Sequence, residues 1–547
     1  MPDLVLGPML RYVDENTATI WVETSGPCEV VLHGTPGIEG ATARTFEVRG
    51  QHYALVVASG LMPGTEYEYQ VTLDGASCWP LPTPSGDPLP PSAFVTPDGD
   101  REPRIVFGSC RNSNAPDDTS YGPDAVATLA ESLLPSSPGD RPDVLLMLGD
   151  QVYADSLSEP MKDLVAARRS DPDSEGPMTE AVTFAEYSAL YREAWTPPEV
   201  RWLLSVVPTV MIFDDHDVHD DWNTSAAWRA QFQSRPWWKD RVTGAYGSYW
   251  LYQHLGNLSP AQLDADQTWQ RVHNADGDAG DVLDDLALRA DRRDPEVRWS
   301  VRRDIGGVRV VVVDSRSRRV VDDDSGRRMT DESEWAWVTK SVTGDFDHVV
   351  LATSVPPLLP RGIHALETWS EKVCAGAWGK RFARFAEGLR QEVDLEHWPS
   401  FGASFAELED LLSGLAAGAY GAPPATVTVV SGDVHHSYLA PVSVPGAGPS
   451  GTAVWHAVSS PVRNLMPGNM RRAYALASSA PGGLAGTMVA RLAGARRPRI
   501  KWKVTAGPWF ANMLATLSYE GRSARIRFDR SSPSGLEPVH EASLTAE

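Results

Sequence analysis

The chain has 547 residues, 42% of them apolar, and carries 72 acidic against 49 basic side chains, a net charge of −23. That length exceeds what one hydrophobic core supports and predicts about two to four domains. The charge argues against a general binder of nucleic acid or of anionic membranes, because phosphate-rich surfaces reward Lys and Arg; small phosphate esters need only a local positive site and stay open.

In chain order, the start (Met1, Pro2, Asp3, Leu4) has no basic n-region and no twin Arg, which favours a cytoplasmic location. Residues 1–98 read as all-β, with short apolar runs at 17–22 and 28–33 set off by Gly and Pro. Leu61-x-Pro63-x-Thr65-x-Tyr67-x-Tyr69-x-Val71 resembles the tyrosine corner of fibronectin type III and immunoglobulin-like sandwiches. The Pro-rich stretch 79–91 reads as a semi-rigid linker, ending by about 98. The four cysteines (Cys28, Cys78, Cys110, Cys374) are too few for a disulfide framework. No apolar run approaches the ~18 residues of a transmembrane helix.

From 99 to 547 the texture changes to alternating strands and helices. Strands are predicted at 104–108, 144–148, 206–213, 308–313, 349–353 and 426–430. Helices are predicted at 124–134, across most of 156–204, and at 333–342. Helix-rich insertions are expected at 223–300 and 361–416, and short β runs after Tyr438. The uninterrupted apolar run from Val144 to Leu148 reads as a strand buried on both faces. Its end places Asp150 at the carboxyl edge of a sheet, where open α/β sheets hold ligands. Alone, Asp150 fits either a metal ligand or a helix cap.

Five apolar strands end in chemically loaded residues: Cys110; Asp150 with Tyr153; Asp214-Asp215-His216-Asp217; Asp314 with Arg316; and Asp433 with His435. Turns favour Gly, Asn and Ser at least as often, so the whole set reads as a metal site. Carboxylates suit hard divalent cations, whereas imidazole, phenolate and thiolate suit a transition metal. A set with all four suggests two unlike metals sharing a bridging carboxylate, the arrangement that clamps both oxygens of a phosphoryl displacement.

These residues carry a resemblance. Gly108-Ser109-Cys110, Gly149-Asp150-Gln151-Val152-Tyr153-Ala154-Asp155, Asp214-Asp215-His216-Asp217 and Ser431-Gly432-Asp433-Val434-His435-His436 together resemble the PhoD-like alkaline phosphatases of the calcineurin-like and purple acid phosphatase superfamily. The resemblance implies a β-sandwich followed by an α/β catalytic domain of the αββα type. It implies Asp150 as the bridge, with Cys110, Tyr153 and His435 completing a ferric site. Asp215 and Asp433 then face a second metal, Ca²⁺ in the family, with Asp217 and Asp221 as alternatives to Asp215. His216 would donate a proton to the leaving oxygen or bind phosphate, and Arg111 and Arg316 would hold phosphate oxygens; Arg316 is equally explained by pairing with Asp314. The superfamily's Val-x-x-His ligand has no counterpart at 352–355, which favours an oxygen-loving second ion. His397 and His456, each beside a Trp, read as packing.

The implied reaction is hydrolysis of a small phosphoester by water activated on the metals. A diesterase acting on lipid or polyol phosphates is the first alternative. A binding protein with a vestigial site is the second, and it would want Asp150 or His435 missing. A Ser-His-Asp hydrolase would want Gly-x-Ser-x-Gly after a strand, and none is present.

Overall fold

The computed structural model describes the chain except residues 39, 82–88, 100, 114–118, 172–174, 322–325, 447–450 and 546–547. The core of the expected linker, 82–88, therefore lies outside the described residues. The N-terminal part is two antiparallel sheets. One has the order Leu4–Val13, Thr17–Thr24, Gln51–Ser59, Phe46–Val48; the other is centred on Glu29–Thr35 and Glu66–Leu73. Strict alternation along Glu66–Leu73 turns Tyr67, Tyr69, Val71 and Leu73 inward. Tyr67 Oη accepts the Met62 N–H at 2.8 Å, so the tyrosine corner forms as its spacing predicts.

The first sheet uses its second face as well. Leu6, Met9, Trp21, Tyr53 and Leu55 join one apolar cluster with Trp195, Leu203 and Tyr252 of the following domain. Arg11, fully buried, donates to the carbonyls of Tyr252 and Gln253 at 2.6 Å each. These two bonds offset part of the cost of burying the guanidinium, whose Nε finds no partner among the described residues.

The larger part holds two mixed sheets. The first runs Thr209–Ile212, Val144–Leu148, Arg104–Gly108, Met513–Glu520, Ser523–Ser532, Gly535–Ser543. The second contains Val308–Val313, His348–Thr353, Thr426–Ser431 and Ala453–Val458 as parallel neighbours. Ile105 and Leu146 of the first sheet share a core with Val310, Val350 and Val430 of the second, so the sheets face each other. Along Val308–Val313 the residues alternate: Val310 and Val312 enter that shared core, while Val311 and Val313 pack outward against Leu408, Leu411 and Leu412 of helix Gly402–Ala417. This is the expected αββα arrangement, and the loaded strand ends come from both sheets.

Two local expectations fail. The strand expected from 206 begins at Thr209, because Val206 closes helix Pro198–Val206 and Val207 turns extended ahead of Pro208. The short β runs after Tyr438 are interrupted by helices Gly468–Ser478 and Ala480–Leu492. The insertions at 223–300 and 361–416 are helical as expected. Among the described residues, no helix is long and apolar enough to cross a membrane.

Candidate metal centre

Three parallel strands of the first sheet and two of the second, Val308–Val313 and Thr426–Ser431, deliver their following residues to a single point. Cys110 N–H bonds Gly149 O at 3.2 Å, and Asp433 N–H bonds Ser109 Oγ at 2.9 Å. The loops that follow are sharply bent: Cys110, Asp150, Asp433 and His435 have φ of 58°, 52°, 69° and 50°. Non-glycine residues rarely adopt this left-handed region, and it clusters where function over-determines the backbone. Close approach also dictates glycine. Gly149 has φ +104°, and a Cβ there would lie 2.4 Å from Asp214 Cβ; one at Gly432 would lie 2.0 Å from Ser109 Oγ. Gly149→Ala is expected to destabilise by about 2 kcal/mol or more and to lower the thermal midpoint by several degrees, measured by calorimetry.

The ligand atoms of Asp150, Asp215 and His216 lie within 4.8 Å of one another, as do those of Asp214, Asp215 and Asp433, and those of Asp155, His216 and Asp220. Asp150 is buried; its Oδ2 accepts from Tyr153 Oη at 3.4 Å, and its Oδ1 has no hydrogen-bond partner among the described residues. Burial, followed by the charges of Asp215 and Asp214, raises the Asp150 carboxyl well above the usual range despite His216. Burial likewise raises the Cys110 thiol and the Tyr153 phenol, with Asp150 adding to both. So much crowded negative charge favours a cation at this point. The Cys110 sulfur sits among Ser109 Oγ at 3.2 Å, Ser460 Oγ at 3.3 Å and Asp433 O at 3.5 Å. Among the described residues the His435 ring makes no hydrogen bond; burial holds it down at about 4, hence neutral and able to act as a ligand. Cys110 and His435 stand at this centre but outside the three tightest groups.

His216 Nδ1–H donates to both oxygens of Asp155 at 2.9 Å, and its ring lies 4.5 Å from that of Tyr153. Burial opposes its charging, yet Asp155 and Asp215 raise it well above the usual imidazole range. The position fits a proton donor; it also puts His216 within ligand distance of Asp150 and Asp215.

Of the two alternatives to Asp215, one has another duty. Asp217 accepts the backbone N–H of Asp150 and Asp214 at 2.9 Å and of Gln151 at 3.2 Å, and so holds the two loops together. Asp221 is pushed up to about 9 by burial and by Glu396.

Arg111 and Arg316 are not placed as the resemblance implies. Arg111, 2% exposed, gives Nε to Asp124 Oδ2 at 2.8 Å and Nη1 to Ala194 O at 2.7 Å, pinning the first helix of the domain. Arg316 is fully buried among four carboxylates: Asp214, Glu396, Asp215 at 3.1 Å and Asp433 at 3.4 Å. Among the described contacts, Asp314 accepts from the Arg316 backbone N–H at 2.9 Å and forms no ion pair with its side chain. Arg316 thus supplies counter-charge inside the cluster instead of reaching into the cleft.

Sequence reasoning missed three side chains of one segment, Glu367, Glu396 and His397, and besides them Asn464 and Asp155. His397, read as packing, bonds Asp433 Oδ2 through Nε2 at 2.8 Å and Glu367 Oε1 through Nδ1 at 2.5 Å. Burial works against its charge, but Glu367 and Asp433 raise it well above the usual range. Glu396 bonds Arg316 and Arg319. All three come from the second insertion, whose sequence has no strand end to flag them. Asn464, whose Nδ2–H donates to Tyr153 Oη at 3.0 Å, likewise lacked any signal. Asp155 had one, lying two places after Tyr153 in the motif.

The model of the PhoD-like phosphatase family matches residues 109–480, and that of a domain of unknown function (DUF7800) matches residues 1–93. The solved structure of PhoD overlaps with a TM-score of 0.59 over 99% of this chain and 91% of that chain, at 12% identity, and so shares its fold. The type III pullulan hydrolase from Thermococcus kodakarensis overlaps at a TM-score of only 0.15, with 11% identity over 97% of this chain and 94% of that one, and carries no argument. No curated protein matches the sequence.

Proposed function

The chain belongs to the PhoD-like phosphatase family and is a metal-dependent phosphoesterase, and from that premise we propose that it hydrolyses small phosphoesters at two unlike metals joined by Asp150. The observation that carries this reading is the buried, unpartnered Asp150 Oδ1, in a group with Asp215 and His216 while Oδ2 meets Tyr153.

The donor sets fit two kinds of ion. Cys110, Tyr153 and the neutral His435 offer sulfur, phenolate and nitrogen to iron(III), with Asp150 as the shared oxygen. Asp215 and Asp433, with Asp214 Oδ2 also buried and unpartnered, offer oxygen alone and suit Ca²⁺. When bound, such a pair lowers the pKa of water towards neutrality and offsets charge on the phosphoryl group. The chain's own residues do the rest. Asp155 fixes the His216 ring through Nδ1, leaving Nε2 to protonate the departing oxygen. His397 and Arg316 fix Asp433, and Asn464 fixes the Tyr153 phenol.

One observation favours diesters over monoesters. A monoester brings one more charge than a diester, and Arg111 and Arg316 are both committed to protein partners. Activity on bis(p-nitrophenyl) phosphate above that on p-nitrophenyl phosphate is therefore expected.

The test is metal content with the visible spectrum, before and after Tyr153→Phe. About one iron per chain, with a charge-transfer band that Tyr153→Phe shifts or removes, is the expected result. Absence of transition metal, together with no hydrolysis of either ester after reconstitution with iron and calcium, would sink the two-metal reading.

A further inference from the structure

The net charge hides a segregation. Between Asp433 and Glu520 the sequence holds no Asp or Glu and nine Arg or Lys, within a chain of net charge −23. Helices Gly468–Ser478 and Ala480–Leu492 lie in this segment. They pack on helix Arg361–Cys374, as does helix Lys380–Glu392.

The contact between these helices is made by small residues. A Cβ at Gly362 would lie 1.9 Å from Ala477 O, and one at Gly486 would lie 3.3 Å from Ala365 Cβ. The small core beneath holds Ala365, Trp369, Val373 and Ala386, to which helix Ala480–Leu492 and the residue after it add only Ala490 and Ala493. The large side chains of helix Ala480–Leu492 point the other way. Leu484, Met488 and Leu492, four residues apart on one face, are 64%, 61% and 73% exposed. A surface helix normally buries its large apolar side chains and exposes the small ones, so this helix is inverted. Trp378 extends the patch: its Nε1–H donates to Leu492 O at 3.3 Å and its ring meets exposed Phe382 at 5.9 Å. Exposed arginines border it. Arg381, Arg384, Arg472, Arg491 and Arg496 form no ion pair with a described residue.

Apolar side chains ringed by unpaired cations match an anionic lipid surface, where the side chains enter the headgroup boundary and each Lys or Arg gains from the surface potential. A second copy fits poorly, because a two-fold contact would set Arg491 and Arg496 against their own equivalents. The patch also adjoins the metal centre. Tyr474 of helix Gly468–Ser478 packs its ring 4.1 Å from that of His436, next to His435, and helix Arg361–Cys374 carries Glu367, the partner of His397.

We propose that the face formed by helices Lys380–Glu392, Gly468–Ser478 and Ala480–Leu492 docks this protein on an anionic lipid surface, with the rim of the metal centre brought to that surface. This reverses for one face what the total charge says of the whole. The overall charge governs long-range approach, whereas a docked face feels only charges within about a Debye length, ~8 Å at physiological salt.

The test is co-sedimentation of the full chain with vesicles of phosphatidylcholine containing about 30% phosphatidylglycerol, and with vesicles of phosphatidylcholine alone. Binding only to the anionic vesicles, weakened by salt, is expected. The triple variant Leu484→Ser, Met488→Ser, Leu492→Ser should bind about tenfold more weakly or worse, as should the double variant Arg491→Glu, Arg496→Glu. Both should keep the parent's thermal midpoint and its turnover of soluble p-nitrophenyl esters, since these side chains are exposed and touch no site residue. Failure of the parent to bind the anionic vesicles, or variants that bind as the parent does, would overturn the proposal. So would a parent dimer that the triple variant dissociates in the absence of vesicle binding, which would give the face to a second copy.

Discussion

Asp150→Asn is expected to lower kcat/KM for phosphoester hydrolysis by about 10³-fold or more, because the residue common to both proposed metals loses its charge. The change is chosen for its backbone. Asp150 has φ 52°, and Asn tolerates the left-handed region better than other residues of its size, so the loop should hold its shape. The loop's other anchors are also untouched: the Asp150 N–H still reaches Asp217 Oδ2 at 2.9 Å, and Arg111 N–H still reaches the Asp150 carbonyl at 3.0 Å. Removing a buried charge crowded by Asp214 and Asp215 should leave the metal-free protein at least as stable. Steady-state kinetics, calorimetry and metal analysis on one preparation would check this. A variant with normal iron and calcium and near-normal turnover would remove Asp150 from the bridging position.

His397→Asn is the second large effect, and no sequence pattern signals it. His397 spans two carboxylates, Glu367 and Asp433, and so fixes the direction of the Asp433 oxygens. Partners that orient a ligand typically change metal affinity by about 10–100-fold when removed. The shorter Asn cannot reach both carboxylates. The expected outcome is a higher divalent-ion requirement, with turnover partly restored by excess Ca²⁺ and iron content unchanged. Glu367→Gln should give a milder version, since it leaves the His397 ring in place but weakens its charge. Unchanged calcium dependence in both variants would reduce His397 to packing. A loss of iron instead of calcium dependence would move Asp433 to the other metal.

These two residues also mark the division between what the sequence tells and what it hides. The position of Asp150 was legible because a short run of five apolar residues followed by Gly reads as a doubly buried strand, and such a strand has a defined carboxyl end. The same logic brought Cys110, Tyr153, Asp215, His216, Asp433 and His435 together, and the structure gathers them where strand ends of two facing sheets meet. The tyrosine corner was legible for a similar reason, since alternation along Glu66–Leu73 fixes which side chains turn inward.

What strand periodicity does not encode was decided by tertiary structure. Arg111 and Arg316 sit in the right loops, but side-chain direction depends on which acids the fold brings alongside, and Asp124, Asp214 and Glu396 claim them. Asp217 could not be told from Asp215 by position; only the backbone N–H groups that converge on it distinguish a loop anchor from a candidate ligand. His397, Glu396 and Glu367 arrive from an insertion whose helices carry no period that points at a distant loop. The charge pattern divides in the same way. The sequence by itself determined that the chain is acidic and that residues 434–519 lack acids. Only the packing of Gly362 and Gly486 against their neighbours turned Leu484, Met488 and Leu492 outward beside the arginines, because a helix contact made by small residues leaves its large ones no interior to enter.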